Sequence, residues 1–161
     1  MMQSNVEYTI YNGEKDIEEL MELMDASLSE PYSIFTYRWF LQENPELTIL
    51  ARVNGVLVGA VMCRVKERQG REASGNIGMV AVKEQFRKQG IGRELVIRAI
   101  SMMSAEGIRE IFLETEEKNE AALHLYEALG FFRHKYLVRY YSTGENAYRL
   151  KLILNVQPHE Q

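Results

Sequence analysis

The 161 residues carry 46% hydrophobic and 26% charged side chains, with 19 Lys and Arg against 23 Asp and Glu for a net charge of −4. That is the balance of one ordinary globular domain of about 100–200 residues; it excludes a disordered or collagenous chain and argues against a strongly basic nucleic-acid binder. The longest unbroken apolar stretch, Val56–Cys63, falls far short of the roughly 18 residues of a membrane span, and the polar stretch from Met1 to Tyr11 does not read as a signal peptide.

Val6–Tyr11 alternates as a first strand. Asp16 reads as an N-cap before Ile17, Leu20, Met21, Leu23 and Met24, an apolar stripe at helical spacing. Ser29-Glu30-Pro31 breaks that pattern, because proline restricts the residue before it. Thr36–Glu43 predicts a second short helix stopped near Pro45, with Trp39 and Phe40 assigned to the core. Thr48–Val53 and Val56–Val65 flank Asn54-Gly55, a strong hairpin signal. The one cysteine, Cys63, lies in an apolar run and reads as a buried structural thiol; this usage suits a reducing, cytoplasmic setting.

Gly70–Gly75 reads as a polar loop, and Ile77–Val82 as the next strand. Gly92–Glu106 predicts a helix ended by Gly107. Ile111–Thr115 is a short strand. Asn119 caps a helix running to Leu129 and stopped by Gly130. Phe131–Tyr141 and Ala147–Leu154 are the last strands, joined by a turn around Gly144. Leu150, Leu152 and Leu154 alternate with Arg149 and Lys151 as on a half-buried sheet. The order is β-α-α-β-β-β-α-β-α-β-β, an α/β class with one mixed central sheet flanked by helices. Ile77 to Thr115 predicts a parallel pair with a right-handed crossover.

Charge is uneven along this order. Lys83–Arg98 holds five basic and two acidic residues, whereas Glu110–Glu120 holds five acidic residues and one lysine. Solvated faces explain such runs as a rule. Arg87-Lys88-Gln89-Gly90-Ile91-Gly92, however, sits between a strand and a helix start, where free N–H groups and the helix dipole favour a phosphate. It is neither a P-loop, which ends in Gly-Lys-Ser/Thr, nor a dinucleotide fingerprint, because Leu95 stands where a third small residue belongs. On spacing alone, a plain connecting turn accounts for it equally well. His124, His134 and His159 show no metal spacing, and no nucleophile triad is apparent.

Arg87, Gly90 and Gly92 in an Arg-x-x-Gly-x-Gly pattern resemble the acetyl-CoA pyrophosphate loop of the GNAT acetyltransferase superfamily. Asn119-Glu-Ala-Ala-Leu-His-Leu-Tyr-Glu-Ala-Leu-Gly-Phe131 resembles its second signature, Asn-x-x-Ala-x-x-Leu-Tyr-x-x-x-Gly-Phe. The resemblance covers nearly the whole chain and implies a single GNAT domain over residues 1–161. The stretch Ser29 to Phe40, Leu113-Glu-Thr-Glu116 and Arg139-Tyr-Tyr141 narrow it to catalytic subunits of NatC-type N-terminal acetyltransferases. Such enzymes acetylate an initiator methionine followed by a bulky apolar residue. Members usually work on ribosomes with a large and a small auxiliary subunit. Nascent protein N-termini are then the partners, with no nucleic acid or membrane bound directly.

The resemblance assigns roles by position. Glu114, at a strand end, matches the base that takes a proton from the amine, a role elementary chemistry demands because an α-amine of pKa about 7.7–8.0 is largely protonated at neutral pH. Tyr126 matches the general acid or CoA-positioning group. Backbone of Val80, Ala81 and Val82 would polarise the thioester and hold pantetheine; Arg87, Lys88, Gln89, Gly90, Ile91 and Gly92 would hold the pyrophosphate; Asn119 would touch CoA. Glu30, Pro31, Tyr32, Tyr140 and Tyr141 would line the peptide site, since tyrosine offers an apolar body with a polar tip. Asn76 joins them where the family usually has an aromatic residue. Read without the resemblance, Glu114 is one more solvated acid and Tyr126 a core tyrosine. Cys63 is far from these positions, which favours direct transfer in a ternary complex over an acyl-enzyme. Other readings are an acetyltransferase of the same fold acting on a ribosomal-protein terminus or lysine, and a non-catalytic acyl-CoA-binding subunit.

Overall fold

In the computed structural model of the chain, the structure describes residues 5–27 and 32–155. The expected order is present: β1 (Val6–Ile10), α1 (Ile17–Asp25), α2 (Ile34–Glu43), β2 (Thr48–Val53), β3 (Val56–Arg68), β4 (Arg71–Val82), α3 (Ile91–Ala105), β5 (Glu110–Glu116), α4 (Glu120–Ala128), β6 (Phe132–Leu137) and β7 (Ala147–Ile153). The strands are hydrogen-bonded in the order β1-β2-β3-β4-β5-β7-β6. None of the described helices is long and apolar enough to cross a membrane.

Residues up to Arg64 together with Ile77–Ala99 form one compact unit. Its β2–β3 hairpin turns at Asn54 and Gly55 with φ of 50° and 78°, the two positive values that a type I′ turn needs. Leu20, Leu23 and Met24 of α1 and Tyr37, Phe40 and Leu41 of α2 cluster with Leu50, Leu57, Ala60, Met62, Met79 and Ala81. Each fully buried Leu or Met side chain contributes about 1.5–3 kcal/mol. Two glycines let helices approach. A Cβ on Gly59 would meet Ile91 and Leu95 of α3 at 3.2 Å, and one on Gly78 would stand 2.7 Å from Phe40 Cε1 of α2.

Val65–Asn76 and the residues from Ile100 onward form the other unit. Here β4 pairs in parallel with β5, Gly75 opposite Ile111 and Asn76 opposite Phe112, as the crossover predicts. β5 pairs antiparallel with β7 along its whole length, and β7 with β6. Ile111, Leu113 and Thr115 of β5 are buried, as are Leu150 and Leu152 of β7. The opposite face of β5 carries Glu110, Phe112, Glu114 and Glu116.

Four local expectations need correction. Asp16 makes no side-chain cap; a short 3₁₀ turn precedes α1, and its carboxylate pairs instead with Arg52 at 3.1 Å. Residues 70–75 are not a loop: only a turn at Gly70 separates β3 from β4, and Ser74 and Gly75 are already buried in the sheet. Trp39 is not core; it is 43% exposed with the Arg64 guanidinium 4.4 Å above its ring. The sixth strand ends at Leu137 rather than Tyr141, because Arg139 turns to φ 51° and the Tyr141 N–H donates to Glu145 O.

Candidate active site

The β4–α3 turn belongs to the first unit. After β4 the chain makes a 3₁₀ turn over Glu84–Phe86, then takes left-handed backbone at Lys88 (φ 61°) and Gly90 (φ 82°) before α3 begins at Ile91. The Arg87 Nε–H donates to Val82 O at 3.0 Å and braces the turn from the strand. Arg87, Lys88, Gln89 and Gly90 are exposed. A Cβ on Gly90 would meet nothing within 4 Å, so the space over it is open. The first N–H groups of α3 have no intrahelical partner, and the dipole places positive charge there. These residues fit a pyrophosphate. A cleft of about 370 Å³ beside the turn is lined by Leu23, Leu57, Lys83, Arg87 and the acids Glu19, Glu22 and Glu84. Its mixed charge adds nothing to the anion argument. Val80, Ala81 and Val82 lead into this turn as the last residues of β4.

The second unit holds Glu114. β7 places Arg149 directly opposite it. Arg149 Nη2 and Nε lie 3.1 and 3.3 Å from Glu114 Oε1, and the Tyr140 hydroxyl donates to the same oxygen at 3.4 Å. The Tyr140 and Tyr141 rings meet edge to face at 5.1 Å. Asn146 anchors their loop: its Oδ1 accepts from the Arg139 N–H at 2.8 Å, and its Nδ2 donates to Glu117 at 3.3 Å. The structure thus brings Glu114, Tyr140 and Tyr141 together. The sequence reading missed Arg149 and Asn146, leaving Arg149 on a solvated face; strand register was the missing signal.

The remaining expected residues fall as follows. Tyr126 is buried on α4 with its ring edge to face on Phe131 at 5.7 Å. Asn119 caps that helix, its Oδ1 accepting from the Ala122 N–H at 3.1 Å. Asn76 donates through Nδ2 to Phe112 O at 3.3 Å, which ties it to β5. Tyr32 is half-buried against the first unit's core. Glu30 and Pro31 lie outside the described residues. Cys63 is fully buried, and burial pushes its thiol up. Among the described residues no three His, Cys, Asp or Glu side chains group to hold a metal.

Glu110 shows what a structural carboxylate looks like on the same strand face. Lys151 lies 3.1 Å from Oε1 and Arg68 3.0 Å from Oε2. The Lys151 hydrogen bond, and after it Arg68, hold the carboxyl below its usual range against a burial penalty. Its stabilisation is therefore full above the unfolded-state pKa of about 4.3 and is lost as pH falls through the lower folded value. Acid urea titrations of Glu110→Gln are expected to show a flatter loss of stability below about pH 5 than the parent. An identical slope would mean that the pair contributes nothing.

The sequence profile of the acetyltransferase (GNAT) family matches residues 14–131. N-alpha-acetyltransferase MAK3 of Arabidopsis thaliana is 44% identical over 151 residues, 94% of this chain and 79% of the relative. N-alpha-acetyltransferase 30 of Homo sapiens is 44% identical over 149 residues, 92% of this chain, and the chain spans 41% of its length. Among solved structures, a chain of the NatC complex bound to Gag peptide and CoA superimposes with a TM-score of 0.89 at 40% identity, over 93% of this chain and 99% of that one. Profile, relatives and superposition agree with the two motifs and with the turn geometry, and the chain belongs to the acetyltransferase (GNAT) family.

Proposed function

We propose that this chain is an N-alpha-acetyltransferase of the NatC type, which acetylates protein N-termini that begin with Met and a bulky apolar residue. The observation that carries this reading is 44% identity to a named N-alpha-acetyltransferase along 94% of the chain. The similar chain in the NatC complex was solved with peptide and CoA, which supports acetyl-CoA as cosubstrate here. That neighbour is a complex, which supports peptide N-termini and auxiliary subunits as partners; docking on the ribosome through those subunits, in the cytoplasm, is part of the proposal. The buried, unpaired Cys63 suits that reducing setting.

Acetyl-CoA supplies a thioester, whose acetyl carbon bonds to the amine nitrogen as its C–S bond breaks. Glu114 takes the proton that the amine nitrogen gives up. Tyr126 gives a proton to the departing sulfur or positions it. Arg87–Gly92 hold the pyrophosphate through backbone N–H groups and side-chain charge, as a helix N-terminus favours. Backbone of Val80, Ala81 and Val82 serves the thioester oxygen and pantetheine, where fixed N–H groups stabilise developing charge. Tyr140 and Tyr141, with Tyr32, Asn76, Glu30 and Pro31, meet the peptide.

Competition between Met-Leu, Ser-Glu and internal-lysine peptides, with and without auxiliary subunits, tests the assignment. Met-Leu is expected to win by about tenfold or more in kcat/KM, the scale on which an apolar pocket discriminates. Equal or faster acetylation of Ser-Glu or of lysine would replace NatC specificity with another acetyltransferase activity. CoA binding without turnover on any peptide would leave only a binding subunit.

A further inference from the structure

We propose that Arg149 is a positioning residue for acetyl transfer: it grips the Glu114 carboxylate by one oxygen and leaves the other to accept the amine proton. The inference rests on Glu114 being the proton acceptor. Directly opposed residues of an antiparallel pair share a face, with Cβ atoms about 4.5–5.5 Å apart. Register therefore delivers Arg149 to Glu114 without any long loop. An arginine and a carboxylate often pair fork to fork, with both oxygens engaged. This pair does not. Nε, Nη2 and the Tyr140 hydroxyl all converge on Oε1, and none of the described residues donates to Oε2.

Glu110, four residues earlier on the same face, is the internal contrast. Lys151 engages its Oε1 and Arg68 its Oε2, so both oxygens are committed. Two glutamates of one strand thus differ in the number of oxygens held by cations. The pair at Glu114 is also semi-exposed, with 18% of the Glu114 side chain and 31% of Arg149 accessible. Its worth as a surface ion pair is small. Its geometry is specific, because the planar guanidinium fixes direction where a lysine ammonium would not.

Steady-state kinetics with acetyl-CoA and a Met-Leu peptide test this on Arg149→Met, Arg149→Lys, Tyr140→Phe, Glu114→Gln and the Glu114→Gln/Arg149→Met double variant. Arg149→Met is expected to lower kcat by about 10–100-fold, as a misplaced catalytic group does, with KM for acetyl-CoA unchanged. Arg149→Lys should recover part of that loss. The double variant should be no slower than Glu114→Gln alone. Wild-type kcat in Arg149→Met beside a slow Glu114→Gln would overturn the positioning role and leave Glu114 as the base. An equal loss in both backgrounds would reduce Arg149 to a structural residue. Normal turnover by Glu114→Gln would sink the base assignment and the positioning role with it. If Arg149→Met does not fold by circular dichroism, Arg149→Lys and Tyr140→Phe decide: a kcat decrease in both, lost when Glu114 is Gln, is the expected result, and additive losses refute it.

Discussion

Glu114→Gln is expected to lower kcat on a Met-Leu peptide by about 10²–10⁴-fold, the usual contribution of a positioned base, while CoA binding measured by calorimetry stays as in the parent. Glutamine keeps the shape of glutamate, and its amide oxygen can still accept from Arg149 and Tyr140. What it cannot do is take a proton, so the loss isolates that step. CoA binding should survive because Glu114 is assigned to the amine, whereas the pyrophosphate falls to the Arg87–Gly92 turn. Tyr126→Phe should cost less, about tenfold, since a thiol is already a fair leaving group. Adding it to Glu114→Gln should leave no measurable acetylation. Unchanged turnover by the double variant would remove both residues from the chemistry.

The second large effect is on stability. Phe40→Ala is expected to cost about 3–5 kcal/mol, read as a lower urea midpoint at an unchanged slope. Phe40 is only 6% exposed and belongs to the core shared by α1, α2 and the sheet. Its ring also covers Gly78, where no Cβ fits. Gly78→Ala should therefore cost about 1–3 kcal/mol through overpacking. In a Phe40→Leu background the alanine should be nearly neutral, because the ring edge is gone. Additive costs would mean that ring and glycine are not coupled.

The parts of the fold that the sequence made legible are those decided by neighbours in the chain. Asn54-Gly55 needs no distant partner to turn, and Asn119 caps α4 three residues away, as expected. The stripe from Ile17 to Met24 finds its core because helical period is local. Asp16 stands at the N-cap position of α1 but makes no side-chain cap bond; its carboxylate pairs with Arg52, 36 residues on, which no local pattern announces. The start of β4 looked like a loop because its first residues, Arg71 and Glu72, are exposed at the sheet's end and show no apolar alternation. Trp39 shares a helix with Phe40 but points to solvent, where Arg64 covers it. At the candidate site, Glu114, Tyr140 and the glycine turn were legible through motifs. Arg149 was not, since a lone arginine in a strand reads as a solvated charge until register sets it opposite a glutamate 35 residues away.

Cys63 gives the protein a built-in gauge. It is the only cysteine of the chain, it is completely buried on β3, and burial keeps its thiol protonated. Alkylating reagents attack the thiolate, so the folded chain is inert to them. Any labelling must pass through openings that bring β3 to solvent. The rate of thiol capture in native buffer then equals the intrinsic rate multiplied by the open fraction, and reports the free energy of that opening directly. The same measurement on every active-site variant separates a chemical defect from a loosened fold, with no denaturant and no engineered cysteine.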